Sequence, residues 1–413
     1  MPMFSIPLSG LDSASEALTV ISNNLANLNT VGFKKQNASF QDLFYQTIGN
    51  TGSGDPTQIG AGAGVSSITT NFADGSLNTS GVATDVAITG NGFFVTEKPS
   101  GEMQFTRDGH FAVGLDGNLT TQDGSNVMGY PAVNGVVTPG QTLSPIVLGQ
   151  GLMSPPQATA NLQMTTNLDA SSAVGTSFST PMSVYDSLGV SHVLTFNFAK
   201  TAAGTWSYDI TIPAADVGQT GNPVSISTGT LSFDGNGVLT TPAANLSGIT
   251  ATGLADGAAD LNLTWDLFDR NNNPLITQVA SASTTATTSQ DGFSSGTLVS
   301  FNVNSDGVIQ GTFTNGKTSP LAQLALATFP DEQGLMRTGS NAYIATLPSG
   351  APTIGVPGAG GRGTLTGGAL EQSNVDIATE FAAMIVAQRG FQASAKVVTT
   401  FDETTQDTIN LIR

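Results

Sequence analysis

The sequence predicts a mainly β fold of nested antiparallel β domains, with N- and C-terminal α-helices that form a coiled-coil-like inner domain. Three observations predict it. Apolar residues recur in alternating steps of three and four at both ends of the 413-residue chain. Between the ends, apolar residues alternate and Asp-Gly or Asn-Gly pairs recur, which is typical of short strands joined by hairpins. The 49 glycines and the low charged fraction of 10% suit tight turns and neutral polar surfaces.

Each end of the chain carries one narrow apolar stripe on a predicted helix. Such a stripe buries little in an isolated helix, so each helix needs a companion. We expect the stripes to form a self-assembly seam between copies of the chain; the alternative is a helical hairpin that closes within one molecule. The polar positions of the C-terminal stripe fix a register or simply mark a loose seam. The predicted seam is Leu11, Leu18, Ile21, Leu25, Leu28, Ile377, Phe381, Met384, Phe391, Val398, Ile409 and Ile412, with Ala14, Gln388, Ala395, Asp402 and Thr405 at the same spacing.

Changes in composition divide the chain into nested segments. The terminal helical domain is predicted over 1–28 and 372–413, and its second helix is predicted to begin at Ser373 with Asp376 as a capping acid. Passages rich in Pro or in Ser and Thr mark the limits of an inserted segment that holds both tryptophans. The remaining segments are Gly-rich connectors at 29–69 and 350–371, a middle β domain at 70–146 and 290–349, and an inserted outer β domain at 147–289.

The charge and cysteine content exclude several classes of function. With 12 basic and 30 acidic residues, the chain has a net charge of −18, which argues against binding to nucleic acid or to an anionic membrane. The absence of cysteine excludes a disulfide framework and a zinc ribbon. The sequence before Lys34 has no basic residue, and no apolar run approaches the length of a membrane span. We therefore expect neither a cleaved signal nor membrane insertion.

Two glycine-rich segments match nucleotide-binding expressions. The run Gly311–Thr318 fits the phosphate-loop pattern letter for letter, but Pro320 falls where the following helix would need its backbone donors. The run Gly358–Gly363 fits the dinucleotide fingerprint, but Gly- and Pro-rich sequence precedes it instead of a strand. We interpret the first match as a hairpin and the second as a linker.

The sequence offers few residues that could form a metal site or a catalytic site. The sequence from Asn302 to Gly307 resembles the start of a calcium loop, but Phe313 stands where a bidentate Glu is required. The two histidines, His110 and His192, lie in strand-like settings far apart in the sequence. We expect no catalytic residue, no cofactor and no metal.

Several motifs near the two ends and in the first β segment carry a specific resemblance. They are Leu8 to Leu11, Asn23 to Asn27, Asn29 to Lys34, Gly81 to Asp85, Gly90 to Phe94, Phe105 to Gly109, Leu370 to Asp376 and Gln388 to Ala393. With these motifs the chain resembles the axial proteins of the bacterial flagellum, the family of rod and hook subunits. The inserted sequence from Tyr185 to Gly189 resembles the outer domain of the hook type, and the length also agrees with the hook type.

The resemblance implies a structural subunit that polymerises into a bendable hollow tube. Such a tube transmits motor torque from rod to filament and forms part of the export channel of a motile cell's flagellum. By resemblance, the terminal helices line the tube, the first β domain surrounds them and the inserted domain lies outside. The resemblance also implies location in the basal body and hook, outside the cell, and secretion through the flagellar type III export apparatus with Phe4 and Leu8 as an export signal. The implied partners are the distal rod, hook cap and hook–filament junction proteins.

Two other classes of function remain open from the sequence. A secreted binding module, such as an adhesin, would hold a ligand on the inserted domain, and exposed aromatic residues there would favour it. An enzyme would have to rely on the Gly311–Thr318 match, since no other segment supplies a site.

Overall fold

The computed structural model describes residues 5–133, 135–149 and 151–411. Its described part begins with helix α1, Ser5–Ala26, and ends with helix α2, Ile377–Leu411. Strands make up most of the ordered chain between them. The predicted fold class is thus confirmed: the protein is mainly β, and its two terminal helices pack together.

The chain divides into two compact units. Unit 1 comprises residues 1–150, 300–311 and 319–413, and unit 2 comprises 151–299 and 312–318. Strands within unit 1 are Gln36–Asp42, Gln46–Asn50, Pro56–Ile59, Ala63–Thr70, Leu77–Thr79, Val86–Thr89, Phe93–Glu97, Met103–Thr106, Ala112–Val113, Leu119–Thr120, Asn126–Val133, Val136–Val137, Ser144–Pro145, Leu326–Thr328, Met336–Gly339, Ala342–Ile344, Thr353–Gly355, Thr364–Gly367 and Ala369–Glu371.

Three further strands continue from one unit into the other along the chain. They are Gly296–Val303, Val308–Phe313 and Thr318–Leu324. Unit 1 also contains a short 3-10 helix, Glu332–Gly334. Its β part has two apolar cores. One is centred on Ile88, Phe94 and Leu324, and the other is a group of edge-to-face rings around Phe93 and Phe105.

Unit 2 contains two five-stranded sheets. The first consists of antiparallel strands in the order Ser177–Tyr185, Ser191–Ala202, Thr205–Ile212, Val224–Phe233 and Leu239–Thr241. The second has the order Leu246–Ala251, Leu261–Asp266, Asn161–Asn167 and Ile276–Thr277, with Thr284–Gln290 paired to Asn161–Asn167. The remaining elements of this unit are strand Met153–Ser154 and the 3-10 helix Ala214–Val217.

The second sheet of unit 2 departs from a purely antiparallel arrangement. Strand Asn161–Asn167 pairs in parallel with both Leu261–Asp266 and Ile276–Thr277. Parallel neighbours need a long crossover, and here the whole first sheet lies between them in sequence. Apolar side chains fill the core of the unit, and Trp206 and Trp265 are fully buried within it.

Segment 29–69, expected to be an extended connector, contains two antiparallel strand pairs. Strand Gln36–Asp42 pairs with Ala63–Thr70, and Gln46–Asn50 pairs with Pro56–Ile59. Most side chains of these strands are exposed, so their sequences lack the alternation of apolar and polar residues that predicts a half-buried strand. Among the described residues, neither helix is apolar over enough of its length to cross a membrane.

Candidate assembly surface

Helices α1 and α2 form an antiparallel pair. Near one end of the pair, a Cβ added to Gly10 would lie 3.1 Å from Ser394 Oγ. Near the other end, Asn24 Nδ2 donates to Glu380 Oε2 at 3.2 Å. The same number of residues separates the two contacts on each helix, so the register is constant along the pair. The predicted companion helix is therefore the chain's own other terminus, which is the hairpin alternative.

The predicted stripe on α1 faces the rest of unit 1. Its members Leu11, Ala14, Leu18, Ile21 and Leu25 are all partly buried, and Leu28 is partly buried just after the helix ends. The most deeply buried positions lie beside this stripe, at Val20 and Asn24. Strand Ala63–Thr70 also covers the helix, since Ser13 Oγ donates to the Ala63 carbonyl at 3.2 Å.

The predicted stripe on α2 is only partly turned inward. Met384, Phe391, Ala395 and Val398 are partly buried within the single chain. The other members that the structure describes, Ile377, Phe381, Gln388, Asp402, Thr405 and Ile409, are exposed. Ile412, like Phe4 of the predicted export signal, lies outside the described residues, and Leu8 is 51% exposed on α1.

The buried face of α2 is displaced around the helix from the predicted stripe. Glu380, Ala383, Ala387 and Ser394 lie on the covered side together with Phe391. The small side chains of Ala383, Ala387 and Ser394 let the two helix backbones approach closely. Glu380 is drawn inward by its polar partners, Asn24 and Lys35. The seven-residue spacing did not separate this face from the neighbouring one because both carry apolar residues.

A second apolar face of α2 is left uncovered in the single chain. Ile377, Phe381, Ile385 and Val386 are 46%, 48%, 57% and 72% exposed. The first three turns of the helix are thus apolar on nearly every side, a pattern that belongs to a buried helix. We call these four residues the outer face of α2. Sequence reasoning missed Ile385, which continues the step of four from Ile377 and Phe381, and the adjacent Val386.

The C-terminal turns of α2 extend beyond α1. The helix has 35 residues and α1 has 22 in the described part. At the constant register, Ser5 lies opposite the turn that contains Thr399. All residues from Asp402 to Asn410 are exposed, and threonine hydroxyls there donate to carbonyls of the preceding turn, as Thr404 does to Thr400.

A polar hub joins the helix pair to the first β strand of unit 1. The buried Asn24 donates to the Gln36 carbonyl at 2.8 Å and accepts from the Gln36 N–H at 2.9 Å. Its amide also reaches Glu380, whose other oxygen pairs with Lys35 Nζ at 2.9 Å. One side chain therefore satisfies a strand end and fixes the position of both helices.

Buried charges fix the same junction from the β side. Lys34 Nζ lies 2.6 Å from Glu371 Oε1, and both side chains are essentially inaccessible. Arg107 lies 3.3 Å from Asp74 and 3.6 Å from Glu371. Burial lowers the pKa of Lys34 and the Arg107 charge lowers it further, while Glu371 opposes both. Breaking such a buried pair by removing one partner costs about 3–5 kcal/mol, so the junction is specified by charge as well as by packing.

Gly32 allows the chain to turn into this junction. Its φ is +67°, and a Cβ there would lie 2.8 Å from the Arg107 carbonyl carbon, so only glycine fits without a shift. The following Phe33 packs under the guanidinium of Arg337, which also donates to the Lys34 carbonyl. Lys34, Arg107 and Glu371 belong to three separate motifs that carry the family resemblance, and folding brings their charged groups together.

Helix α2 is capped one turn later than predicted. The Asp376 carboxylate accepts from the Thr379 N–H at 2.7 Å, and these hydrogen bonds lower the pKa of Asp376. Asp376 is thus the N-cap, and the predicted start at Ser373 was wrong. Ser373 and Val375 are buried in the approach to the helix, because Glu371 and Asn374 hold that segment against unit 1.

The nucleotide and calcium matches fall in turns. Lys317 lies in the turn between Val308–Phe313 and Thr318–Leu324, and its ammonium lies 5.2 Å from the centre of the Phe293 ring. A strand follows it, where a phosphate loop needs a helix. The Gly358–Gly363 run is a loop before strand Thr364–Gly367, and Asp306 lies in a tight turn.

A second exposed apolar patch lies on the hairpin of segment 29–69. Its largest members are Phe44, Tyr45, Ile48 and Ile59, which are 93%, 57%, 60% and 50% exposed. Exposed apolar groups clustered in this way mark interaction sites. Unit 1 thus presents uncovered apolar side chains both on α2 and on this hairpin.

Comparison with known families agrees with the layout along the chain. Four family models match: "Flagella basal body rod protein" over 6–34, "Flagellar hook protein FlgE/F/G D1 domain" over 87–166, "Flagellar basal body protein FlaE D2 domain" over 157–293 and "Flagellar basal body rod FlgEFG protein C-terminal" over 366–411. The crystal structure of the Helicobacter pylori flagellar hook protein FlgE2 is similar in fold. It has a TM-score of 0.50 at 16% identity and covers 70% of this chain and 98% of that one.

Relatives of known identity are similar over almost the whole chain. The flagellar hook protein FlgE of Salmonella typhimurium is 36% identical, with 99% of each chain covered. That of Escherichia coli is 35% identical with the same coverage, and that of Treponema pallidum is 33% identical over 98% of each chain. The packed terminal helices, the nested β units and this similarity lead to one conclusion. The chain belongs to the family of flagellar hook proteins, the structural hook subunits of flagellar motility.

Proposed function

We propose that this chain polymerises head to tail into the hollow, bendable tube of the hook, which transmits torque from rod to filament. The observation that carries the proposal is the outer face of α2. Its four large apolar side chains remain exposed in the first turns of a helix whose other side is already covered by α1. A heterologous contact that does not close on itself grows into a helical tube, so the natural occupant of this face is a second copy of the chain.

The proposal places the parts of the chain at increasing distances from the axis of the tube. The paired helices line the export channel, the β part of unit 1 surrounds them, and unit 2 lies outside. The hydroxyl- and amide-rich strands of unit 2 suit weak, exchangeable contacts between neighbours when the tube bends. The predicted domain limits and the seam residues remain predictions within this scheme.

The finer parts of the scheme follow the family resemblance. The subunit would leave the cell through the flagellar type III apparatus, with Phe4 and Leu8 in the export signal, and act outside the cell. It would meet the distal rod, hook cap and hook–filament junction proteins at the ends of the tube. The proposed role is mechanical and needs no catalytic residue, cofactor or metal.

The adhesin alternative depended on exposed aromatic side chains in the inserted domain. Among the described residues of unit 2, no aromatic side chain is fully exposed, and both tryptophans are buried in its core. The exposed aromatic residues lie in unit 1, at Phe40, Phe44, Tyr45 and Phe381. This distribution favours assembly through unit 1 over ligand binding on unit 2.

The test of the proposal is the substitution Phe381→Asp. Because Phe381 is half exposed in the single chain, we expect the monomer to keep its helix content and thermal stability. In the polymer, the carboxylate would be desolvated against apolar groups, so we expect polymerisation to be lost. Sedimentation of purified protein under polymerising conditions measures the result.

The matched control is Leu115→Asp, the same chemical change at a fully exposed loop position of unit 1. It should assemble as the unchanged protein does. Polymers of normal length from Phe381→Asp would contradict the assignment of α2's outer face. Loss of helix content in that variant would show that the side chain serves the monomer instead.

A further inference from the structure

One histidine of unit 2 is surrounded by carboxylates on both sides of its ring. His192 Nε2 lies 3.0 Å from Asp186 Oδ2 and 3.8 Å from Asp256 Oδ2, and Nδ1 lies 3.0 Å from Asp216 Oδ2. Among the described residues, these three aspartates are the charged groups within ion-pair distance of the ring. The His192 side chain is 5% exposed and that of Asp186 is fully buried.

The geometry favours a doubly protonated ring. A neutral imidazole has one N–H donor and one bare nitrogen, and the bare nitrogen would face a carboxylate oxygen at hydrogen-bond distance. Only the imidazolium donates to Asp186 and Asp216 at once. Asp186 is equally committed to its charged form, because its other oxygen accepts from the N–H groups of Leu188 and Val190.

The four residues come from separate elements that meet at one end of unit 2. Asp186 lies in the turn before strand Ser191–Ala202, on which His192 is the second residue. Asp216 lies in the 3-10 helix Ala214–Val217, which follows a neighbouring strand of the first sheet. Asp256 lies in the loop between Leu246–Ala251 and Leu261–Asp266 of the second sheet. The ring therefore links the two sheets.

We propose that His192 is a proton-operated clasp: its imidazolium holds three loops together at one end of unit 2, and loss of its proton loosens that end. When the ring is neutral, one hydrogen bond is lost and the charged carboxylates facing the ring are left with no cation between them. Because the clasp affects the stability of unit 2 within one chain, its test does not depend on whether the chain forms a tube.

The titration of the cluster sets the pH range in which the clasp is closed. Burial alone would lower the pKa of His192, but Asp186 and Asp216 outweigh burial and the pKa is raised above 6.5. Burial likewise opposes the charge of Asp186, but hydrogen bonds with Asp256, His192 and the backbone bring its pKa to about 2. Because folding raises the pKa of His192, its contribution to stability is complete below pH 6.5 and is lost as the pH rises past the folded pKa. Because folding lowers the pKa of Asp186, its contribution is complete above pH 3.8 and is lost as the pH falls toward about 2. Unit 2 should therefore be most stable between these two ordinary pKa values.

The two tryptophans provide a selective probe in the whole protein. Trp206 and Trp265 are the only tryptophans of the chain, and both are buried in unit 2. We expect the midpoint of thermal unfolding, followed by tryptophan fluorescence, to fall by about 2–4 °C as pH rises through the histidine titration. In His192→Gln the midpoint should be lower at mildly acidic pH and independent of pH over the same range.

The control is His110→Gln, which removes the only other histidine, a residue of unit 1 paired with Asp85. It should retain the pH profile of the unchanged protein. The proposal is overturned if His192→Gln keeps that profile. It is also overturned if zinc chloride, compared with EDTA, raises the midpoint of the unchanged protein but not of His192→Gln, because the cluster would then be a metal site.

A second measurement covers the case in which His192→Gln does not fold. The two imidazole signals of the folded protein are followed by NMR over pH and assigned with His110→Gln. We expect the pKa of His192 to lie above 6.5 and to fall in Asp216→Asn, which removes one charge facing the ring. A pKa at or below 6.5 in the unchanged protein would overturn the proposal.

Discussion

At the residue scale, Asn24 holds together the junction between the two helices and the first β strand. Its amide lies where α1, α2 and the strand after α1 meet, and it exchanges hydrogen bonds with Gln36 while reaching Glu380. No apolar side chain can do this, because the strand end would keep a buried N–H and carbonyl without partners. The Asn-rich stretch after the apolar stripe thus has a structural cause.

We expect Asn24→Ala to destabilise unit 1 by about 1–3 kcal/mol, since it leaves buried polar groups unsatisfied. Chemical denaturation followed by the helical circular dichroism signal measures the loss. The matched control is Asn23→Ala on the exposed side of the same turn, which should change stability little. Equal losses in the two variants would show that the effect comes from helix propensity and that the hub is unimportant.

At the scale of elements, α2 has two faces with different surroundings. Its covered face packs on α1 with small residues, and its outer face is apolar and uncovered. Its last turns carry exposed threonines and few apolar groups, and they reach beyond the described part of α1. An element that is longer and more apolar than its own fold requires is suited to contacts in an assembly.

Removing residues 402–413 should leave the monomer intact and impair its polymerisation. The described residues of this segment are exposed, so their loss removes no buried contact of unit 1. We expect an unchanged thermal midpoint and shorter or absent polymers, measured by calorimetry and electron microscopy. A lowered midpoint would instead place these turns within the fold of the single chain, and normal polymers would remove them from the assembly surface.

At the scale of the whole molecule, the chain leaves unit 1 for one long stretch, residues 151–299, before it returns. Gln157 and Phe293 exchange two backbone hydrogen bonds, of 3.0 and 2.9 Å. Most of unit 2 therefore lies between two residues that are already paired. In the part of the chain that the structure describes, the helix pair and the apolar cores of unit 1 contain no residue of this insertion.

Replacing residues 158–292 by a short glycine turn should leave a folded, exportable subunit that still polymerises. If unit 2 supplies the exchangeable outer contacts, the resulting tube should differ in curvature or bending stiffness, which electron microscopy of isolated hooks would measure. The control is replacement of loop 219–222, an exposed part of unit 2, which should leave the tube unchanged. A truncated subunit that gives an equally flexible, equally curved hook would contradict the division of roles by radius.

The sequence by itself determined the mainly β architecture, the two terminal helices and the family, because periodicity, turn residues and motifs are local properties of the chain. Tertiary structure decided which side of α2 is buried, since two neighbouring stripes are both apolar and only the pairing of Glu380 with Lys35 and Asn24 selects one. It also decided the Lys34–Glu371 pair and the cluster around His192. These groups are brought together by folding from separate strands and loops, and one sequence carries no local signal of such distant pairing.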